Sequence, residues 1–282
     1  MIAILGGLGA AVMWGTATLC SSRSSRMLGA GTVLAWVMLS GLAIALPVAL
    51  ATGVPEGLTR SVGGWLLLSG AMNVAGLALV YEALRIGKVG IVSPLASTEG
   101  AIAALLAVVA GEALGVPTAL LLVLIALGIV LAAHPAEEQE IQNLQPIRST
   151  LMAIGAAATF GVGLYASGRV SGLLPVAWVI LPARVLGTLV VALPIAVRGK
   201  LRLTRRSAPL VAVAGLCEIA GMASYTIGAR HGIAVAAVLA SQFAAVAAIG
   251  AYVLFHERLS RVQRSGAIVI LVGVAFLTAI NA

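Results

Sequence analysis

The chain has 282 residues, of which 61% are hydrophobic and 9% charged, and its mean hydropathy is +1.13. Soluble domains are about half apolar and about a quarter charged, so this composition excludes an ordinary soluble fold and defines a polytopic membrane protein. The net charge of +8 does not point to nucleic acid: the 17 Lys and Arg stand between apolar runs, where membrane topology and anionic headgroups account for them.

A spanning helix needs about 20 mostly apolar residues. Ten such runs follow one another, at roughly 2–20, 30–52, 63–84, 89–110, 115–133, 149–168, 173–197, 208–229, 232–255 and 262–281. The first starts at Ile2 with no basic segment before it, and is expected to be a retained helix and not a cleaved signal. Ser21 to Arg26, Gly53-Val54-Pro55-Glu56 and Gly115-Val116-Pro117 punctuate the first half. Lipid cannot satisfy exposed backbone groups, so helices are expected; barrel strands are too short and too polar on one face to give such runs. Cys20 and Cys217 both lie in apolar segments and suggest neither a disulfide framework nor a metal site.

The stretch Gly70 to Gly128 recurs at a constant offset of 145 positions. Gly70 meets Gly215, Gly76 meets Gly221, Arg85 meets Arg230 and Gly87 meets Gly232; Glu112 meets Glu257, Leu114 meets Leu259 and Gly128 meets Gly273. The charged matches carry weight in a chain this poor in charge, and they predict an internal duplication. The polar connection His134 to Arg148, with Glu137, Glu138 and Glu140, divides the runs five and five. The expected fold is an all-α membrane protein of ten transmembrane helices. It comprises a first five-helix repeat over 1–133, a polar linker over 134–148 and a second repeat over 149–282. An odd helix count inverts the second copy, and inverted repeats place a substrate site near the membrane midplane.

Connections between runs 1–2, 3–4, 5–6, 7–8 and 9–10 hold 13 Lys and Arg, counting Arg264 at the margin of the last run, and the other four connections hold 3. This count alone places both termini outside the cytoplasm.

The chain resembles the EamA branch of the drug/metabolite transporter superfamily over nearly its whole length. The likeness rests on Gly111-Glu112-Ala113-Leu114 after the fourth run, and on His256-Glu257-Arg258-Leu259-Ser260 with Gln263, Gly266 and Gly273-Val274. Trp14-Gly15, its counterpart Phe160-Gly161, and Tyr81-Glu82-Ala83-Leu84 followed by Gly87 fit the same pattern. The resemblance implies a bacterial inner-membrane carrier of small organic molecules, many of whose relatives export amino acids, other metabolites or drugs. It implies a cavity lined by helices 1–4 and 6–9, with helices 5 and 10 outside it. It also implies cytoplasmic termini, against the charge count, so orientation stays open.

Ionisable groups inside a bilayer are costly and face a cavity or a partner. Glu218 leads the candidates. It sits mid-run, its repeat counterpart is Asn73, and Gly221, Met222 and Tyr225 follow it at helical spacing. It is expected either to exchange a proton or bind a cation, or to be a satisfied neutral acid. Glu99 follows Pro94 and Ser97-Thr98, and is expected either in the cavity or as a link between helices. Arg184 either snorkels to the interface or pairs with Glu218, Glu99 or a substrate carboxylate. Trp14, Tyr81, Tyr225 and Trp178 are candidates for cavity walls or interface anchors. Glu82 and Arg85 are spaced to pair locally, and Glu112 and Glu257 to hold a loop or a helix start.

No metalloprotease, serine-hydrolase or phosphate-binding motif occurs, so the chain is expected to be neither an enzyme nor itself an ATPase. The reading is a secondary transporter, an exporter of small metabolites by alternating access, with proton coupling. Its competitors are a uniporter or exchanger without coupling, and a non-transporting sensor or assembly subunit. A flippase for a lipid-linked substrate is a third option. Expected partners are a small-molecule substrate and membrane lipids. No nucleic acid, cofactor or metal is expected, and the assembly is a monomer or homodimer.

Overall fold

The computed structural model describes residues 1–87, 89–132, 145–247, 250 and 261–280. It is all helical, with no strand among the described residues. The elements are α1 (Ile2–Leu28), α2 (Ala30–Ala51), α3 (Arg60–Ile86), α4 (Val89–Ser97), α5 (Glu99–Val109), α6 (Val116–Ala132), α7 (Pro146–Ser171) and α8 (Val176–Gly187). After a π-helical turn at Thr188–Ala192 come α9 (Leu193–Val197), α10 (Ala208–Ala229), α11 (Ile233–Ala240) and α12 (Arg261–Ile280). Among the described residues, seven helical stretches are long and apolar enough to span a membrane, and shorter apolar helices cover Val116–Gly128 and Ile233–Ala247. Lys88, His134, Glu137, Glu138, Glu140, His256, Glu257, Arg258, Leu259 and Ser260 lie outside the described residues, as does most of the expected linker.

Two expected continuous helices are broken instead. The fourth run stops at Thr98, between α4 and α5, and the ninth turns at Ser241–Gln242 before resuming over 243–247. Pro94 has no N–H to donate to the helix ladder. The Ser97 and Thr98 hydroxyls donate to the Pro94 and Leu95 carbonyls, at 2.8 Å each. At the second break the Ser241 hydroxyl donates to the Val238 carbonyl at 2.8 Å. Short side-chain bonds of this kind compete with the helix's own ladder.

Close approach of backbones organises the assembly. In lipid, apolar burial does not drive helices together, so small residues and fitted contacts must. α1 lies along α10, α3 along α7, and α6 against α12. Where α1 crosses α10, a Cβ added at Gly6 would lie 2.5 Å from the Gly228 Cα, and the Ser224 hydroxyl donates to the Gly6 carbonyl at 2.9 Å. Gly76 of α3 accommodates the Phe160 ring, and Gly221 of α10 accommodates the Trp14 indole. Gly161 faces Ile102 and the Glu99 carbonyl, while Gly15 faces Val246 and the Phe243 carbonyl. Each broken helix is therefore seated on a glycine next to an aromatic residue, one on α7 and one on α1.

Chain reversals are set locally. Gly29 ends α1 and starts α2 at φ 88, in the left-handed region that favours glycine. The Thr59 hydroxyl accepts from the Val62 N–H and caps α3. Arg26 donates to the Leu84 and Gly87 carbonyls, and Arg230 to the Ser171 and Leu174 carbonyls, so arginines close the C-terminal ends of α3 and α7.

Glu112 joins parts of the chain far apart in sequence. Its carboxylate accepts from the Ile233 and Ala234 N–H groups, both at 3.1 Å, and so caps α11. A carboxylate there satisfies orphan donors and complements the helix dipole. Glu112→Ala is expected to lower stability by about 1–2 kcal/mol, read as a reduced unfolding midpoint in detergent. Glu56→Ala, in a loop, serves as the control that leaves it unchanged.

Candidate functional site: an ion pair beside an aromatic cavity

Arg184 is the largest fully buried side chain in the described protein, at 0% exposure. α8 carries it inward beyond Pro182, and Gly41 of α2 makes room for it: a Cβ at Gly41 would lie 2.7 Å from the Arg184 Cδ. Its Nη2 donates to Glu218 Oε1 at 3.1 Å, its Nη1 lies 3.9 Å from the Met38 sulfur, and its Nε has no hydrogen-bond partner. Glu218, mid-α10, is 5% exposed. The interface-snorkelling reading of Arg184 is thereby overturned. Its stem is enclosed by α2, α8 and α10, and its charge is met by the carboxylate.

Beside this pair lies a narrow cavity of about 50 Å³, space for a few waters at roughly 10–15 Å³ each. Glu218, Asn73 and Glu99 line it, as do four aromatic rings: Trp14, Tyr81, Phe160 and Phe243. Leu77 and Val80 of α3 complete one apolar wall. The cavity therefore gathers residues from α1, α3, α5, α7, α10 and the second helix break. The Asn73 Oδ1 is buried without a hydrogen-bond partner. Glu99, 4% exposed, starts α5 at the first break, and among the described residues nothing donates a hydrogen bond to its carboxylate. The Trp14 indole donates to the Glu218 carbonyl at 3.4 Å, tying the ring to α10.

Five of the eight candidates from the sequence thus meet around one space: Glu218, Asn73, Glu99, Trp14 and Tyr81. Arg184 and Tyr225 do not line it. Tyr225 is fully buried behind Trp14, with ring centroids 6.2 Å apart, and its hydroxyl donates to the Leu164 carbonyl at 2.9 Å. The Trp178 indole donates to the Thr52 hydroxyl and the Gly53 carbonyl, and Trp178 does not line the cavity. Glu82 and Arg85 form the local pair expected of them, at 2.6 Å and partly exposed. Sequence reasoning missed Phe243 and Leu77 as wall residues. Phe243 had a signal: it directly follows Gln242, the repeat counterpart of Ser97.

Seven helical stretches long and apolar enough to span a membrane, among the described residues, make this a multi-pass membrane protein. Residues 1–133 match the model of the EamA-like transporter family. The first 133 residues, a little under half of the chain, are thus similar to that family. A solved structure, described only as "Crystal structure of protein", shares the fold: TM-score 0.75 at 19% identity, covering 99% of this chain and 96% of that one. No curated protein matches the chain.

Proposed function

We propose that the protein is a secondary exporter of small organic metabolites, such as amino acids or drugs, across the bacterial inner membrane. It works by alternating access, with proton coupling through Glu218. The observation that carries this reading is the buried Arg184–Glu218 pair at the edge of a cavity between helices of both halves. Buried charges in a membrane are expensive, and such groups mark substrate or ion pathways.

In this reading the architecture is two inverted five-helix repeats, 1–133 and 149–282, joined by the linker 134–148. The matched seats of the two broken helices on Gly15 and Gly161 support it, as do the matched rings at Gly76 and Gly221. Discontinuous helices in corresponding positions are what inverted-repeat carriers use at their sites. Rocking one half against the other opens the cavity to alternate sides. Glu218 then exchanges its Arg184 partner for a proton, and Asn73 and Glu99 supply polar contacts. Trp14 and Tyr81 act as walls, Tyr225 as a support behind Trp14, and a monomer or homodimer in lipid suffices.

Proteoliposomes loaded with candidate amino acids and organic amines, assayed with and without a pH gradient, test the proposal. The expected result is gradient-stimulated flux that Glu218→Gln abolishes in protein that still elutes as a folded species. Flux that ignores the gradient and survives Glu218→Gln would make the protein a uniporter or exchanger. No flux of any candidate would favour a non-transporting sensor or assembly subunit.

A further inference from the structure

We propose that the cavity selects organic cations: amines with an apolar or aromatic body and no carboxylate. This deepens the transport reading by narrowing its substrates from amino acids and drugs in general to organic amines, and rests on it for the identity of the cavity as the substrate site.

The argument begins with a charge inventory. Among the described residues, two carboxylates line the cavity, Glu99 and Glu218, and no Lys or Arg does. Glu218 is already matched, by Arg184 at 3.1 Å. Glu99 is not matched among the described residues, although it is 4% exposed. A buried carboxylate without a partner is costly, and a cation supplied from outside offsets that cost.

The remaining polar groups point the same way. The Asn73 Oδ1 is a buried acceptor with nothing donating to it. The Thr18 hydroxyl and the Trp14 indole N–H, which could have served a ligand's acceptors, are already engaged by the Trp14 and Glu218 carbonyls. The Asn73 amide can also donate through its Nδ2, so the sign of the site is set by its charges: two carboxylates and no cation among the described lining residues, which suits an ammonium and not a carboxylate. The rings of Trp14, Tyr81, Phe160 and Phe243 share the same space. Aromatic faces attract a desolvated cation and also bury its apolar body. Arg184 provides no carboxylate site, because it stands behind Glu218 and does not line the cavity. Anions and zwitterionic amino acids are therefore discriminated against, each bringing a carboxylate that no cation among the described lining residues neutralises.

The test uses the full-length protein in detergent and four probes of one size: phenethylamine, phenylacetate, phenylalanine and 2-phenylethanol. Thermal unfolding is followed as each is titrated, since a ligand of the folded state raises the midpoint. Phenethylamine is expected to raise it, with an apparent affinity about tenfold or more above the other three, as a charge-assisted contact predicts. Glu99→Gln is expected to remove that advantage, and Glu82→Gln, outside the cavity, to keep it. Carbodiimide labelling of Glu99 in the unmodified protein, read by mass spectrometry, gives a second measurement should Glu99→Gln fold poorly. Phenethylamine slows the labelling and phenylacetate does not. Equal or stronger binding of phenylacetate or phenylalanine overturns the proposal. So does an amine effect that survives Glu99→Gln, or no effect of phenethylamine at all. Liposome flux separates the two readings. Amine binding without amine flux leaves the cation site and sinks transport. Flux of phenylalanine with no amine binding leaves transport and sinks cation selectivity.

Discussion

Arg184→Met is expected to destabilise the folded protein by about 3–5 kcal/mol, because it strands the Glu218 carboxylate in a buried site. Glu218 is 5% exposed, and among the described residues its ion pair is with Arg184, at 3.1 Å. Glu218→Met should cost a similar amount, since it leaves the guanidinium with only the Met38 sulfur near its Nη1. The double variant Arg184→Met/Glu218→Met should be closer to the parent than either single variant, because replacing a buried pair by apolar side chains removes two desolvation costs together. Unfolding midpoints of the three proteins in one detergent measure the coupling. Additive losses would mean that the two groups are stabilised separately, and the pair would lose its place in the mechanism.

Gly6→Ala should cost about 1–3 kcal/mol, and Gly6→Leu more. The atoms that a new Cβ meets are backbone: the Gly228 Cα at 2.5 Å, and the Gly228 N and Ser224 carbonyl at 2.7 Å. No rotamer change relieves such contacts, so α1 and α10 must move apart, and the Ser224 bond to the Gly6 carbonyl goes with them. Gly64→Ala has the opposite expectation. Nothing lies within 4 Å of its added Cβ, and alanine is favoured over glycine inside a helix by roughly 0.5–1 kcal/mol. A pair of unfolding curves checks the contrast in sign. Equal effects at the two glycines would show that the α1–α10 crossing does not hold the assembly together.

Much of this arrangement could be read in the chain itself. Apolar runs divided by Gly, Pro and charge read as helices, because lipid leaves the backbone few alternatives, and the described elements are all helical, with seven stretches long and apolar enough to span. The break at Thr98 was foreshadowed by Pro94 and the hydroxyls of Ser97 and Thr98. The break at Ser241–Gln242 has no proline, and its only signal was the repeat relation of Gln242 to Ser97, the residue before the first break. The π-helical turn at Thr188–Ala192 was not anticipated, although Pro182 and Pro194 flank it. Periodicity could put Glu218 and Tyr225 on related turns of α10. It could not say which neighbour each turn faces. Tyr225 fell behind Trp14 and Glu218 met Arg184 because α7, α1 and α8 pack on different sides of the same helix. Glu112 read as a helix-boundary residue from its motif. Its partner, the start of α11, is 121 residues away and becomes visible only in three dimensions.

The central claim is that one cavity opens to each side of the membrane in turn, and accessibility measures that most directly. Leu77 lines the cavity from α3 and is buried, at 5% exposure. With Cys20 and Cys217 replaced by serine, Leu77→Cys becomes the only thiol, and membrane-impermeant maleimide can be applied to right-side-out and to inverted vesicles. The account predicts labelling from both sides, slowed on both by a bound ligand. Labelling from one side only, or from neither, would contradict alternating access.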